Sequence, residues 1–273
     1  MNRPTSASTP FPQNGPRTAG RILAVASGKG GVGKTVISTS LSRGFSRLGE
    51  RVLLVDADLG MANVDVQMGI TPAGDLASVV SGRMTLQEAL SPVLGGSKDR
   101  GGFDVLPGQS GSGALAGLDM DTVNDLAANV AAVALSYDRT ILDLAAGAER
   151  TNIRLAIAAD DVLIIINDEP TSLTDAYAFV KTLRMRDEGA SPFIVVNGAP
   201  SRKAAEQAYL TFARTCESFL SFRPPLAGII RRDPHVPQAI RTQTPVSVRY
   251  PTSDASADLE RLANALATGV KHR

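Results

Sequence analysis

The sequence predicts an α/β protein, a doubly wound and mostly parallel sheet flanked by helices, in a single domain. Three observations predict it. Short apolar runs alternate with helix-length amphipathic segments, and most of the runs are continuously apolar, as strands covered on both faces are. The chain's 273 residues, 43% of them hydrophobic, are enough for one well-buried domain of the larger α/β kind. No internal repeat or long linker appears after residue 20.

The elements follow in order. Residues 1–20, rich in Pro, Ser, Thr, Asn and Gly, read as a flexible N-terminal tail because they offer too little apolar surface to order themselves. The domain then spans 21–273. Strands are expected at Arg21–Ser27, Arg51–Asp56, Phe103–Leu106, Arg139–Asp143, Asp161–Ile166, Phe193–Asn197 and Leu226–Ile230. Helices are expected around 34–48, 75–90, 120–136, 150–158, 173–186, 202–220, 234–241 and 254–270. Strand–helix–strand repetition of this length implies right-handed crossovers between parallel strands.

Composition removes several functions. Lys+Arg 28 against Asp+Glu 27 leaves a net charge of +1, so no global field recruits nucleic acid or an acidic partner. The single cysteine, Cys216, excludes a disulfide framework and a cysteine-only metal site within one chain, and its helical context reads as a buried, inert thiol. The first twenty residues lack the apolar run of a secretory signal, and no stretch approaches the roughly 18 apolar residues of a membrane span. A reducing, cytoplasmic setting is expected.

The strongest local signal is Ser27-Gly28-Lys29-Gly30-Gly31-Val32-Gly33-Lys34-Thr35, between an apolar strand and an amphipathic helix. Glycines let successive N–H groups point at phosphate oxygens, and the helix N-terminus adds partial positive charge. Lys34 would reach the terminal phosphates and the Thr35 hydroxyl would coordinate Mg²⁺. A ligand-free glycine turn is the bland alternative, and the flanking strand and helix argue against it. Strand 51–56 ends in Asp56-Ala57-Asp58, and strand 139–143 ends in Asp143-Leu144-Ala145-Ala146-Gly147. Acids at strand ends often cap the next helix. Three of them, on strands able to flank one phosphate loop, favour a magnesium site.

The second lysine makes KGGVGKT resemble the deviant Walker A motif of the MinD/ParA ATPases. That resemblance implies ATP and Mg²⁺ as ligands and a homodimer in the ATP-bound state. Lys29 would reach the partner's triphosphate, Asp58 would orient the attacking water as switch I, and Asp56 would join the Mg²⁺ hydration shell. Asp143 would open switch II. The resemblance also assigns Asn197 to adenine, although Gly198 follows where many relatives carry a base. Gly228-Ile229-Ile230-Arg231-Arg232-Asp233 is similar to the family's G-x-I-P-x-D segment, with Arg231 in place of proline. Hydrolysis of the β–γ bond, slow and tied to dimerisation, is the implied chemistry.

Within that family, DADLGMANVD (56–65) and Asp168–Ala178 (DEPTSLTDAYA) are similar to the flagellar number regulators called FlhG, FleN or YlxH, over about residues 21–250. The implied partners are an SRP-type flagellar GTPase, a flagellar transcription activator or switch-complex proteins, with recruitment to a cell pole or membrane periphery through them. The alternative is a ParA- or MinD-like positioning ATPase acting on DNA, membrane or another cargo. Residues 1–20 carry nothing like the D-Q-A-x-x-L-R motif by which some FlhG proteins stimulate the GTPase. The C-terminal stripe of Leu259, Leu262, Leu266 and Val270 lacks bulky aromatics and flanking cations, so it reads as a packing helix rather than an autonomous membrane anchor. Residues 201–250 hold eight basic against three acidic side chains, a surface that reads as solvated first and as a DNA or protein contact second. A reductase carrying a bridging cluster would need two cysteines per chain, which excludes it. Aliphatic residues around Met61, Val64 and Met68 suit an interface or the core equally.

Overall fold

The computed structural model describes residues 20–58, 60–108 and 119–268. In chain order its elements are β1 (Arg21–Ser27), α1 (Lys34–Arg47), β2 (Val52–Ala57), α2 (Val64–Met68), α3 (Leu76–Val80), α4 (Leu86–Ala89), β3 (Ser91–Val93) and β4 (Phe103–Leu106). There follow α5 (Met120–Ala134), β5 (Arg139–Ala146), α6 (Arg150–Ile157), β6 (Asp161–Ile166), α7 (Pro170–Arg186), β7 (Phe193–Ala199), α8 (Arg202–Leu220), β8 (Leu226–Arg231), α9 (His235–Arg241), α10 (Val246–Arg249) and α11 (Asp254–Thr268). The strands form one eight-stranded sheet in the order β3-β4-β2-β5-β1-β6-β7-β8. Every pairing is parallel except β3 with β4.

Alternation along the strands splits the core into two layers. Ala24, Leu53 and Val55 face the helices α5 to α8, where Leu126, Ile153, Phe179 and Phe212 are buried. Leu23, Val25, Val52 and Leu54 face α1 and α11, where Ile37, Phe45, Leu259 and Leu262 are buried. The apolar stripe of α11 is therefore spent on α1 and β8, which is the packing role expected of it; Val270 lies outside the described residues, as do residues 1–19 of the expected tail. None of the described helices is long and apolar enough to cross a membrane.

All seven expected strands are present, and most expected helices lie within a few residues of their bounds. The expected helix at 75–90 is instead two short ones. Gly82 takes φ +70, which ends the first turn, and Thr85 with Glu88 forms a capping box that starts the second. The edge strand β3 escaped notice because it is three residues long and contains Pro92, which an edge position tolerates. Helices α2 and α10 are too short to show a helical period.

Beneath the sheet, Arg139 and Glu50 form a buried ion pair, with Nε to Oε2 at 2.7 Å and Nη2 to Oε1 at 3.3 Å. The guanidinium also lies 4.1 Å over the Phe45 ring. Glu50→Ala leaves that guanidinium buried and unpaired, so it lowers the unfolding free energy by about 3–5 kcal/mol in urea titrations. Cys216 is fully buried, and burial pushes its thiol up to about 12. A thiol-exchange reagent at mildly alkaline pH therefore leaves the native protein unmodified and titrates one thiol after unfolding.

Candidate functional site

The site forms where β1, β5 and β2 end side by side. Their register pairs Val25 with Asp143 and Asp143 with Asp56, so two carboxylates from neighbouring strands flank the exit of β1. From Ser27 the chain turns through residues 28–33 and enters α1 at Lys34. Gly33 caps that helix at φ +94 and ψ 26, a left-handed conformation costly to any other residue. Gly28 is demanded by packing, since an added Cβ would fall 2.1 Å from the backbone of Asp175 in α7. Above Gly30 and Gly31 nothing lies within 4 Å of an added Cβ, so the loop opens as a trough.

Internal bonds hold the loop and its neighbours. The Ser27 hydroxyl donates to the Lys29 carbonyl at 2.7 Å, and the Gly147 N–H donates to the Ser27 carbonyl at 2.9 Å. Asn152 donates from Nδ2 to the Gly147 carbonyl at 2.9 Å, with the Ala145 and Ala146 carbonyls at 3.3 Å, which braces the segment after Asp143. On the other side, Asn197 Nδ2 donates to the Val32 carbonyl at 2.7 Å.

Electrostatics converge on Lys34. Its burial lowers the ammonium pKa, while Asp143 and Asp58 draw it back up. Asp143 is buried and accepts from the Ser38 hydroxyl at 2.9 Å. Burial raises its carboxyl to about 6 against the Thr35 hydroxyl, Lys34 and Ser38. Asp56 is raised to about 7, first by burial and then by Asp143. It accepts N–H bonds from Asn63 and Val64 at 2.9 Å and from Asp58 at 3.3 Å. Asp58 in turn accepts from Met61 at 2.9 Å and Gly60 at 3.3 Å, so the loop after β2 is wound around these two carboxylates. Leu59 lies outside the described residues.

Lys29 sits at the mouth, ion-paired to Glu169 and 2.9 Å from the Thr171 hydroxyl at the start of α7. Thus Gly28, Lys29, Gly30, Gly31, Val32 and Gly33 form one loop that runs into Lys34 and Thr35 at the start of α1, with Asp56 in β2, Asp58 just after it and Asp143 within the neighbouring β5. The Thr35 hydroxyl and these carboxylates are hard oxygen donors of the kind Mg²⁺ takes. Among the described residues no cluster of three or more His, Cys, Asp or Glu could cage a metal. Mg²⁺ is usually held by one or two protein oxygens together with phosphates and water.

Four contributors went unread in the sequence. Ser38 stands one helical turn after Lys34, on the same face, and that spacing was a usable signal. Glu169 and Thr171 lie in the distinctive 168–178 segment, but only the fold shows that they meet Lys29. Asn152 carries no sequence signal of its role. Arg231, standing where proline was expected, is locked through Nε to Asp258 at 2.8 Å and Nη2 at 3.0 Å, with Nη1 to Asp254 at 2.9 Å. Its backbone N–H also donates to Asp258 at 3.0 Å, so the segment after β8 is tied to α11. Part of the positive excess of 201–250 is thereby matched by acids outside that stretch, and Arg223 pairs with Glu217 inside it. Val64 and Met68 are core residues, whereas Met61 and Val66 are 72% and 57% exposed.

A glycine loop between a central strand and its helix, with a buried lysine behind it and acids on adjacent strand ends, defines a P-loop nucleotide-binding domain. The match of residues 23–246 to the CobQ/CobB/MinD/ParA nucleotide binding domain agrees with that geometry. The chain belongs to this family. It is 36% identical over 244 residues to the antiactivator FleN of Pseudomonas aeruginosa, covering 89% of this chain and 85% of that one. It is 30% identical over 190 residues to the flagellum site-determining protein YlxH of Helicobacter pylori, covering 69% and 62% respectively. The septum site-determining protein MinD of Pyrococcus horikoshii, solved with Mg-ADP, superposes with a TM-score of 0.74 at 22% identity, over 92% of this chain and 99% of that one. MinD in the MinC:MinD complex of Aquifex aeolicus gives 0.74 at 24% identity, over 93% and 97%.

The bond from Asn197 to the loop carbonyl separates two roles for this side chain. Asn197→Ala removes a brace worth about 1 kcal/mol. It is expected to weaken ATP and inorganic triphosphate alike by about five-fold in equilibrium titrations. Loss for ATP alone would instead assign Asn197 to the base.

Proposed function

We propose that this protein is an ATP-dependent regulatory switch that dimerises with ATP bound and controls flagellar number or placement through partner proteins. One observation carries the mechanism. Behind the open trough lies buried Lys34, and at its mouth lies a second, more accessible lysine, Lys29, held by Glu169 and Thr171. In this reading Lys34 and the N–H groups of residues 30–35 hold the β- and γ-phosphates, and Asn197 faces the base side of the loop. Asp58 holds the attacking water in line with the γ-phosphorus, and Ser38 keeps the Asp143 carboxylate oriented toward Lys34. Mg²⁺, held by the Thr35 hydroxyl and through water by Asp56 and Asp58, would neutralise phosphate charge. Phosphoryl transfer has a loose transition state, so positioning and charge matter more than a strong base.

Lys29 is the residue that ties hydrolysis to assembly. Its pairing with Glu169 is exposed to solvent and correspondingly weak, so a triphosphate on a facing subunit can compete for the ammonium. The exposed Met61 and Val66, beyond Asp58, offer apolar surface for the same dimer contact. Slow turnover that depends on protein concentration follows, and the protein acts as a timer. The flagellar output rests on the likeness to FleN and YlxH together with the Asp168–Ala178 segment at the start of α7. The partners it implies are an SRP-type GTPase, a transcription activator or switch-complex proteins.

Asp58→Ala is expected to bind ATP and dimerise while hydrolysis falls by about 100-fold or more; Lys34→Ala loses nucleotide, and Lys29→Ala binds ATP as a monomer. Light scattering and phosphate release at several protein concentrations check all three. A wild-type monomer with a concentration-independent specific rate would falsify the dimer mechanism. Asp58→Ala used as bait in native lysate with ATP, beside Lys34→Ala, should retain flagellar components. Division or chromosome components in their place would transfer the output to the positioning ATPases.

A further inference from the structure

At the end of α1 away from the phosphate loop, a cavity of about 730 Å³ opens between α1, α11 and the loop after β3. Its lining on α1 runs from Ser40 to Leu48, which places it roughly 10–20 Å along the helix from Lys34. Three guanidiniums line it, those of Arg43, Arg47 and Arg100, against one carboxylate, Glu260. Glu260 pairs with Arg47 at 3.4 Å, both side chains at least half exposed, and offsets part of the Arg43 charge as well. Arg43 donates from Nη1 to the Ser247 hydroxyl at 3.0 Å, but its buried Nε has no hydrogen-bond partner among the described residues. Burial, and then the neighbouring Arg47, push the Arg43 guanidinium below its ordinary pKa.

Cations gathered in a partly buried space are costly without a counter-charge. Here the fold assembles them deliberately. Ser46 accepts the Gly101 N–H at 2.9 Å and donates to the Asp99 carbonyl at 3.3 Å, which pins the loop to α1. Arg100 Nε then donates to the Arg47 carbonyl at 3.0 Å. At Gly44 an added Cβ would come within 2.6 Å of Ala263, so the glycine lets α11 close one wall. Leu94 and Val248, both exposed, make the remaining lining partly apolar. The volume lies in the range of small-molecule sites, roughly 300–1,000 Å³, and is far larger than a bare ion needs. Guanidinium forks match carboxylate and phosphate groups.

We propose that this cavity is a second ligand site, for a small organic anion whose phosphate or carboxylate group pairs with Arg43, Arg47 and Arg100 while its apolar part rests on Leu94 and Val248. The site does not depend on the ATPase mechanism proposed above. Its test uses the full chain saturated with Mg-ADP, so that added anions cannot occupy the phosphate loop. Phenyl phosphate, phenylacetate and the neutral benzyl alcohol are titrated calorimetrically. One or both anions should bind at millimolar concentrations and the alcohol should not; whichever anion binds more tightly identifies the head group. Arg43→Gln should weaken binding by about ten-fold or more, and Glu260→Gln should tighten it. Should Arg43→Gln unfold, the exposed Arg100→Gln gives the same reading. No anion binding to wild type, or binding indifferent to the arginine and Glu260 variants, overturns the proposal.

Discussion

The parallel register of β2, β5 and β1 is the constraint on which the rest depends. It sets Asp56 beside Asp143 and Asp143 beside Val25, two residues before the phosphate loop begins. A buried ammonium would be untenable alone, and so would two adjacent buried carboxylates. Brought to one spot, Lys34 and Asp143 offset each other's burial, while Asp56 is compensated by the N–H groups of residues 58, 63 and 64. Burial holds both carboxyls well above the ordinary range, so the negative charge available to Lys34 is set by how the cluster is solvated and what it binds.

That cluster is also the point at which the nucleotide site communicates with its surroundings. Asp56 grips the backbone of residues 58, 63 and 64, and Asp58 grips residues 60 and 61. A change in charge or coordination at either carboxylate is thus transmitted to the loop that exposes Met61 and Val66. On the opposite flank, Gly147 bonds to Ser27 and is braced by Asn152, which couples the segment after β5 to the loop itself. The start of α7 meets the loop twice, through the backbone packed on Gly28 and through Glu169 and Thr171 on Lys29. Three surrounding segments therefore contact the phosphate loop or the carboxylates beside it.

Helix α1 links this region to the arginine-lined cavity. Its first residues belong to the phosphate loop, its middle supplies Ser38 to Asp143, and its last turns carry Arg43 and Arg47. Helix α11 covers it along one side and is fastened to β8 through Asp258 and Arg231. Ligands at the two ends of one packed helix would share a rigid element without sharing a contact.

The sequence by itself determined the class of fold, seven of the eight strands and the phosphate loop, because continuous apolar runs and a glycine-rich strand-to-helix turn are local signals. It also placed Asp56 and Asp58 at the end of β2, whereas Asp143, expected to end its strand, lies within β5, which runs on to Ala146. What it could not reveal was which strands are neighbours, since register is a property of pairing rather than of any one segment. Only the tertiary structure decided that Asn197 bonds the Val32 carbonyl, that Glu169 meets Lys29, and that Arg231 is locked to α11. Each joins residues that are far apart in the chain, and no periodicity records such a meeting. The same holds for the cavity: Arg100 meets Arg43 and Arg47 only because a loop pinned by Ser46 and a close helix crossing at Gly44 gather them around one space.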